Sequence, residues 1–283
     1  MKSVNGAIGV FDSGVGGLSV LRHLRKEYPY ENLLYFADQA HVPYGSQKIA
    51  DIQHYSEEIT HFLIDRGAKV IVVACNTASA AALNYLRETF PQVPIVGMEP
   101  AVKPAAMMTK TGKVGVLATP ATFASPRYSS LMIRFAEEVV VYEDPCVGLV
   151  DLIEQGRLEA LETADLLQGV LQPMLQAGID TLVLGCTHYP LVLPLIEEVT
   201  EIKSGNPITI IDPAPAVARQ VGRVLAQLGL EASPAQSGSV HLFTSADMGT
   251  LGPLAKHALG EEFPFVEILW ENSTLETARL DSL

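Results

Sequence analysis

The chain has 283 residues, three cysteines and a formal net charge of −13. This length suffices for one large or two ordinary domains, and the negative charge argues against nucleic acid and anionic membranes as partners, because both are bound through basic patches. The sequence has no CxxC pair, no signal-peptide pattern and no bilayer-length apolar run, so we expect a soluble, cytoplasmic protein with reduced thiols and no bound metal.

Short runs of Val, Ile and Leu recur along the chain, and within each run the apolar residues do not alternate with polar ones. This pattern is typical of parallel strands that are buried on both faces. The predicted strands are Ile8–Phe11, Asn32–Ala37, Val70–Ala74, Ile95–Gly97, Val114–Ala118, Val139–Tyr142, Thr181–Leu184, Ile208–Ile211 and Val240–Thr244.

The stretches between these runs carry apolar residues at helical spacing, and such alternation predicts an α/β fold with mainly parallel sheets. The predicted helices are Gly17–Tyr28, Ile49–Gly67, Ala78–Glu88, Thr163–Ala177, Leu191–Glu198 and Ala214–Gly229. Residues 233–239 are predicted to form a loop, and residues 272–283 a loose polar tail.

Two segments of the chain occur in similar form twice. GAIGVF at 6–11 resembles GKVGVL at 112–117, and GAKVIVVAC at 67–75 resembles GIDTLVLGC at 178–186. We therefore predict two pseudo-symmetric, doubly wound domains, one from residues 1–98 plus 208–283 and the other from residues 99–207. Ligands of open α/β sheets bind beyond the carboxyl ends of the strands, so we expect the active site in a cleft between the domains, with one cysteine on each side.

Cys75 and Cys186 end the two repeated strands and are the candidate acid/base pair. The unperturbed pKa of a thiol is about 8.5, so modest local help produces a thiolate. One thiolate would remove a proton from a substrate carbon and the other thiol would return a proton to the opposite face. Such general acid–base catalysis inverts a stereocentre without a cofactor.

Each thiol needs a neighbour that exchanges protons with it, and a substrate carboxylate needs hydrogen-bond donors. Asp12 follows the first strand, and His188 lies two residues after Cys186, with an ordinary pKa near neutrality. The candidate donors are Ser13, Asn76, Thr77, Thr187 and the backbone amides of residues 14–17, which would form an anion-binding turn at a helix start.

Other interpretations of these features remain open. A single cysteine at a strand end is usually a small buried apolar residue, and we expect this for Cys146, whose context is not repeated. DSGVGGLS, at 12–19, fits neither GxGxxG nor a P-loop. A non-catalytic binder of small molecules and a PLP enzyme are alternatives of a different class, although no lysine occupies an obvious strand-end site.

Four motifs in register, FDSGVGGLSVL, VPYG, ACNTASA and GCTHYPL, resemble those of glutamate racemases in the aspartate/glutamate racemase superfamily, from about Ala7 to at least Ala218. The resemblance implies two pseudo-symmetric α/β domains and interconversion of L- and D-glutamate by two thiols without a cofactor. It also implies a role in supplying D-glutamate for peptidoglycan synthesis, glutamate as the small-molecule partner, and a homodimer as a candidate assembly.

The resemblance assigns roles residue by residue. Cys75 and Cys186 are implied as the acid/base pair, with Asp12 and His188 as their assistants. Glu154, in CVGLVDLIEQG, corresponds to a further glutamate of the family, although the usual Cys-Pro of that segment is Cys146-Val147 here. Related aspartate racemases carry Glu where this chain has His188, so glutamate is favoured over aspartate, the alternative substrate. The implied substrate-site residues are Asp12, Ser13, Tyr44, Gly45, Asn76, Thr77, Thr119, Thr122, Thr187 and His188.

Overall fold

Two parallel sheets flanked by helices confirm the predicted α/β class. The computed structural model describes residues 4–204, 207–246, 249, 251–271 and 273–275. The chain divides into a first unit, Met1–Met98 with Ala214–Leu283, and a second unit, Glu99–Pro213. None of the helices in the described ranges is long and apolar enough to cross a membrane.

The elements alternate along the chain as expected of βα units. The strands are β1 (Ala7–Asp12), β2 (Leu33–Ala37), β3 (Ala68–Val73), β4 (Ile95–Val96), β5 (Lys113–Leu117), β6 (Val140–Asp144), β7 (Thr181–Leu184), β8 (Thr209–Ile211), β9 (Val240–Thr244), β10 (Phe265–Glu267), β11 (Trp270–Glu271) and β12 (Thr274–Leu275). The helices are α1 (Leu18–Glu27), α2 (Ile49–Asp65), α3 (Asn76–Thr89), α4 (Val102–Met108), α5 (Pro120–Phe123), α6 (Pro126–Phe135), α7 (Leu149–Glu154), α8 (Leu161–Gln176), α9 (Leu193–Ser204), α10 (Ala214–Leu228) and α11 (Leu251–Leu259). Short 3-10 helices occur at Tyr44–Ser46 and Tyr189–Val192.

The first unit contains a six-stranded parallel sheet in the order β10-β9-β2-β1-β3-β4. The residues of β1, β2 and β3 are buried throughout. In the register of these strands, Asp12 lies opposite Ala37 and Phe11 lies opposite Val73. The polar residues that follow the three strands, Asp38 and Cys75 among them, are therefore brought to one edge of the sheet beside Asp12.

The second unit contains a four-stranded parallel sheet in the order β6-β5-β7-β8. Leu117 at the end of β5 lies opposite Leu184 at the end of β7, and the Gly185 amide donates to the Leu117 carbonyl at 2.6 Å. The residues that directly follow these strands, up to Thr119 and Cys186, consequently emerge from neighbouring strands at one sheet edge.

The predicted domain boundary near residue 208 was wrong by a few residues. Thr209 pairs with Thr181, which adds β8 to the sheet of the second unit, and that unit runs to Pro213. The strand predicted at Val139–Tyr142 runs instead from Val140 to Asp144, as β6. It lies at the edge of the sheet, paired on one side only, and its residues are half-buried or exposed.

Two further expectations needed correction. The helix after Cys75 begins at Asn76 and not at Ala78, because the Cys75 sulfur accepts the Ala78 amide and caps the first turn. The segment predicted as a loose tail contains β12, which pairs with β11 in an antiparallel hairpin and buries Leu275 in the core of the first unit. Residues 272 and 276–283 of that segment lie outside the described residues.

Replacing Gly185 by alanine should destabilise the protein. An added Cβ would meet the Leu117 carbonyl oxygen at 2.7 Å and the Ala118 Cβ at 2.8 Å, which belong to the last residue of β5 and the residue after it. We expect a loss of about 1–3 kcal/mol in the free energy of unfolding, measured by urea titration. The control is Gly169→Ala in α8, where nothing lies within 4 Å of the added Cβ. That substitution should add about 0.5–1 kcal/mol. Similar effects at both positions would contradict this explanation.

Candidate active site

Cys75 follows β3 and serves as the N-cap of α3. Its sulfur accepts the amide of Ala78 at 3.3 Å and lies 3.9 Å from the Ser13 hydroxyl oxygen, which places the Cys75–Ser13 pair at the shared end of β1 and β3. The thiol is 5% exposed. The amides and dipole at a helix N-terminus stabilise negative charge on an atom in this position. Cys75 is therefore placed where a thiolate would be favoured.

Asp12 ends β1 and is completely buried. Its Oδ2 accepts the Gly17 amide at 2.6 Å, and a Cβ on Gly17 would meet the Asp12 Cβ at 2.7 Å. Only glycine permits this approach. The amides of residues 14–17 were predicted to bind a substrate anion. Because the Gly17 amide donates to Asp12, this part of the anion-binding turn instead stabilises the protein's own carboxylate.

Asn76 is the first residue of α3, and its side chain is buried. Among the described residues, neither its Oδ1 nor its Nδ2 has a hydrogen-bond partner. Leaving a buried amide unsatisfied costs about 1–3 kcal/mol, so native proteins rarely do so without a reason. A ligand with both a donor and an acceptor would satisfy Asn76. Thr77, also buried, follows it.

Tyr44 and Gly45 form the 3-10 turn after β2. Tyr44 is 1% exposed, whereas Gly45 is half-buried. Burial raises the pKa of Tyr44 well above its usual range, and the nearby charges of Asp38, Cys75 and Asp12 raise it further. The phenol is therefore a permanent donor close to Cys75, and its hydroxyl donates to the Asp38 carboxylate at 2.6 Å.

A chain of three side chains in the second unit includes the other thiol. The Cys186 sulfur lies 3.7 Å from Nδ1 of His188, and Nε2 of His188 lies 2.6 Å from the Glu154 carboxylate. Glu154 ends α7, whereas Cys186 and His188 follow β7. Cys186 and His188 are buried, and the Glu154 side chain is 11% exposed.

The electrostatics of this chain favour a protonated imidazole. Burial alone lowers the pKa of His188, but the Cys186 sulfur and the Glu154 carboxylate outweigh it and raise that pKa well above its usual value. An imidazolium can donate from both nitrogens at once. His188 can therefore hold a negative charge on Cys186 while its other nitrogen is held by Glu154.

Three threonines accompany these residues in the second unit. Thr119 caps α5 by accepting the Thr122 amide at 3.3 Å, and the two threonine hydroxyl oxygens lie 3.0 Å apart. Thr187 stands between Cys186 and His188 and is 3% exposed. All three hydroxyls thus belong to segments that follow β5 and β7, the same sheet edge as Cys186.

Cys146 lies near this chain but in a different setting. It is buried, its φ is +46°, and its amide donates to the Asp144 carboxylate at 2.8 Å. Burial first, and Asp144 second, raise the pKa of its thiol, and its sulfur contacts Tyr189. A thiol held this firmly in the protonated form is suited to packing.

The structure adds one residue that sequence reasoning did not single out. Asp38 is completely buried at the end of β2 and accepts hydrogen bonds from four side chains. The signal was available in the sequence, because Asp38 is a polar residue directly after a buried strand, as Asp12 is. The link between Glu154 and His188, which are far apart in the chain, could not be read from spacing.

Comparison with known proteins identifies the family of this chain. The family model for Asp/Glu/Hydantoin racemase matches residues 8–221. A glutamate racemase of Pseudomonas paraeruginosa is 52% identical over 246 residues, which cover 87% of this chain and 91% of that protein. The Escherichia coli glutamate racemase, solved with L-glutamate and the activator UDP-MurNAc-Ala, has a TM-score of 0.80 at 33% identity and covers 96% of this chain and 99% of its own.

The glutamate racemase of Francisella tularensis, solved with D-glutamate, also has a TM-score of 0.80, at 29% identity, with 93% of this chain and 97% of that chain covered. The relatives found by sequence and the relatives found by fold are therefore both glutamate racemases. The predicted resemblance is confirmed: the chain belongs to the Asp/Glu/Hydantoin racemase family.

Proposed function

We propose that this protein interconverts L- and D-glutamate by direct proton transfer between the substrate and two thiols, with no cofactor. The observation that carries the proposal is that each unit has a buried thiol just beyond the carboxyl end of a parallel strand. Each thiol also has a group beside it that stabilises negative charge on sulfur, the N-terminus of α3 for Cys75 and His188 for Cys186. The glutamate racemases that share about half of its residues support glutamate as the substrate.

In the proposed reaction, one cysteine acts as a thiolate and the other as a thiol on opposite faces of the glutamate Cα. The thiolate takes the Cα proton and becomes a thiol, and the electron pair of the broken C–H bond is left on the substrate carbanion. The second thiol then gives its proton to the opposite face and becomes a thiolate. The enzyme ends with the two protonation states exchanged, ready for the opposite enantiomer.

Asp12 and His188 assist Cys75 and Cys186, respectively, in this proposal. The His188 imidazolium lowers the cost of a thiolate on Cys186, and Glu154 acts on the reaction by fixing the ring and its charge. Asp12 belongs with Cys75 because β1 and β3 are neighbours, although no direct bond between the two side chains is invoked.

The substrate carboxylates and amine need partners that the clusters can supply. The unsatisfied amide of Asn76 supports its role as a substrate contact. The remaining proposed contacts are Asp12, Ser13, Tyr44, Gly45, Thr77, Thr119, Thr122, Thr187 and His188. All lie at the ends of strands of the two parallel sheets or in the segments that follow them.

The product implies the physiological role. D-Glutamate is a peptidoglycan constituent, so we place the reaction in its supply for cell-wall synthesis, in the cytoplasm.

A homodimer remains a prediction, for which light scattering coupled to size exclusion is the measurement.

Removing either thiol should slow racemisation strongly. With Cys75→Ser or Cys186→Ser, the rate should fall by roughly 10²–10⁴-fold, the usual contribution of a general acid or base, because a hydroxyl ionises far less readily than a thiol. The measurement is the decay of L-glutamate ellipticity in deuterated water without added cofactor, followed by NMR of the Cα proton.

The third cysteine provides the matched control. Cys146→Ser removes a buried thiol that the proposal does not use, and we expect the rate per folded molecule to stay at the wild-type level. A wild-type rate in either Cys75→Ser or Cys186→Ser would show that the two-thiol assignment is wrong.

Glu154→Gln should shift the pH dependence of the reaction. The Glu154 carboxylate raises the pKa of His188, so without it the imidazolium loses its proton at lower pH. The loss of kcat/KM as pH rises should therefore begin at lower pH, by about 1–2 units for the loss of a charge-assisted hydrogen bond. Kinetic profiles and NMR titration of the His188 ring would measure the shift.

Asp151→Asn is the control for this experiment, because it removes a carboxylate from the same helix at an exposed position. Its kcat/KM profile should coincide with that of the wild type. An unchanged alkaline limb in Glu154→Gln would rule out the proposed role of the carboxylate.

A further inference from the structure

Asp38 joins three segments of the first unit that are distant in the sequence. Its carboxylate accepts the Tyr44 hydroxyl at 2.6 Å, the Ser245 hydroxyl at 2.7 Å and the Trp270 indole N–H at 2.8 Å. Nδ1 of His41 lies 3.0 Å from the same carboxylate. A carboxylate has about four lone-pair sites, so these four partners occupy the hydrogen-bond acceptor capacity of the Asp38 side chain.

The donors are themselves fixed by further contacts. The His41 ring stacks on Tyr55 with centroids 3.7 Å apart, and it meets the edge of Trp270 at 4.9 Å. The Ser245 hydroxyl also accepts the Ala40 amide at 3.0 Å. The segment from Asp38 to the 3-10 turn at 44–46 is thus held from β9 on one side and from the β11–β12 hairpin on the other.

The backbone of Asp38 connects the same group to the candidate active site. Its amide donates to the carbonyl of Asp12 at 3.0 Å. The Tyr44 hydroxyl donates to the Asp38 carboxylate. Tyr44 also lies close enough to Cys75 for the charge of that cysteine to raise the pKa of the phenol. Of the four side chains that bind the Asp38 carboxylate, Tyr44 is the one proposed as a substrate contact, so the influence of Asp38 on a substrate would pass through the Tyr44–Gly45 turn.

We propose that Asp38 is a positioning residue of the racemase, which holds the Tyr44–Gly45 turn against the substrate and locks the Trp270 hairpin behind it. This inference rests on the proposed function for its kinetic part, because Tyr44 and Gly45 are proposed substrate contacts. Its structural part, the link from Asp38 to Trp270, stands without any substrate.

The test compares Asp38→Asn with Asp180→Asn. Asp180 is a matched control in the second unit, since it also accepts several hydrogen bonds, from Thr109, Lys110 and Thr111, but it precedes β7, at the opposite end of that strand from Cys186. We expect Asp38→Asn to lower kcat/KM by roughly 10- to 100-fold, mainly through KM, which is the effect of losing hydrogen bonds to a charged group. Asp180→Asn should leave kcat/KM per folded molecule unchanged.

Trp270 is the only tryptophan in the chain, so its fluorescence reports on the link directly. In unliganded Asp38→Asn, the emission should move to longer wavelength and quenching by acrylamide should increase, whereas Asp180→Asn should match the wild type. This readout would not respond to a purely catalytic defect.

A double-mutant cycle decides whether Asp38 acts through Tyr44. If it does, kcat/KM of the variant with both Asp38→Asn and Tyr44→Phe falls little further than with the worse single change. Additive effects, or an Asp38→Asn enzyme with wild-type kcat/KM, would overturn the proposal. So would a fall in kcat with KM and fluorescence both unchanged.

Two milder variants keep the test decisive if Asp38→Asn does not fold. Ser245→Ala and Trp270→Phe each remove one donor to Asp38, and both should raise KM by a smaller factor in the same direction. Wild-type KM in both would overturn the proposal. If the wild-type protein does not racemise glutamate, the proposed function fails, while the fluorescence comparison of Asp38→Asn still decides whether Asp38 holds the hairpin.

Discussion

Burial of parallel strands on both faces is the constraint that organises this molecule. The middle positions of β1 and β3 are buried and apolar, because a polar group there would lose its water without gaining a partner. The polar residues of these strands, Asp12 and Lys69, stand at or next to a strand end. The polar residues of the candidate site therefore lie at the carboxyl end of a strand or just after it. Asp12, Asp38 and Cys75 occupy such positions in the first unit, and Cys186 does so in the second.

The same constraint explains how the buried charges are supported. Asp12 is paired with a backbone amide that only a glycine can bring so close, and Asp38 with four side-chain donors. His188 is held between a sulfur and a carboxylate. Each of these buried charges has hydrogen-bonding partners, which offset its loss of hydration and restrict the motion of the side chain. Asn76 stands apart, since the described residues leave its amide unsatisfied.

Features that depend on local sequence patterns could be predicted from the sequence, whereas features that depend on contacts between distant residues could not. The central strands, the α/β class and the two repeated cysteine contexts follow from local patterns, because burial of a parallel strand leaves a continuous apolar run. The boundary near residue 208 depended on which sheet β8 joins, and no local pattern encodes that choice. Leu275 lies in a polar-looking segment, and its burial follows only from the pairing of β11 with β12. The partnership of Glu154 with His188 is likewise a long-range contact, and only the family resemblance indicated Glu154.

The first unit is made from two separate stretches of chain, with the whole second unit inserted between Met98 and Ala214. In the finished sheet, β9 covers one side of β2. During synthesis from the N-terminus, however, β2 emerges roughly 200 residues before β9, and chains grow at about 5–20 residues per second. For tens of seconds β2 therefore lacks its β9 partner, and the unpaired N–H and C=O groups of such an edge are what recruits other strands. The second unit, which is contiguous, can complete its own sheet in that interval, so the order of synthesis leaves the half of the protein that carries Cys75 as the last to close.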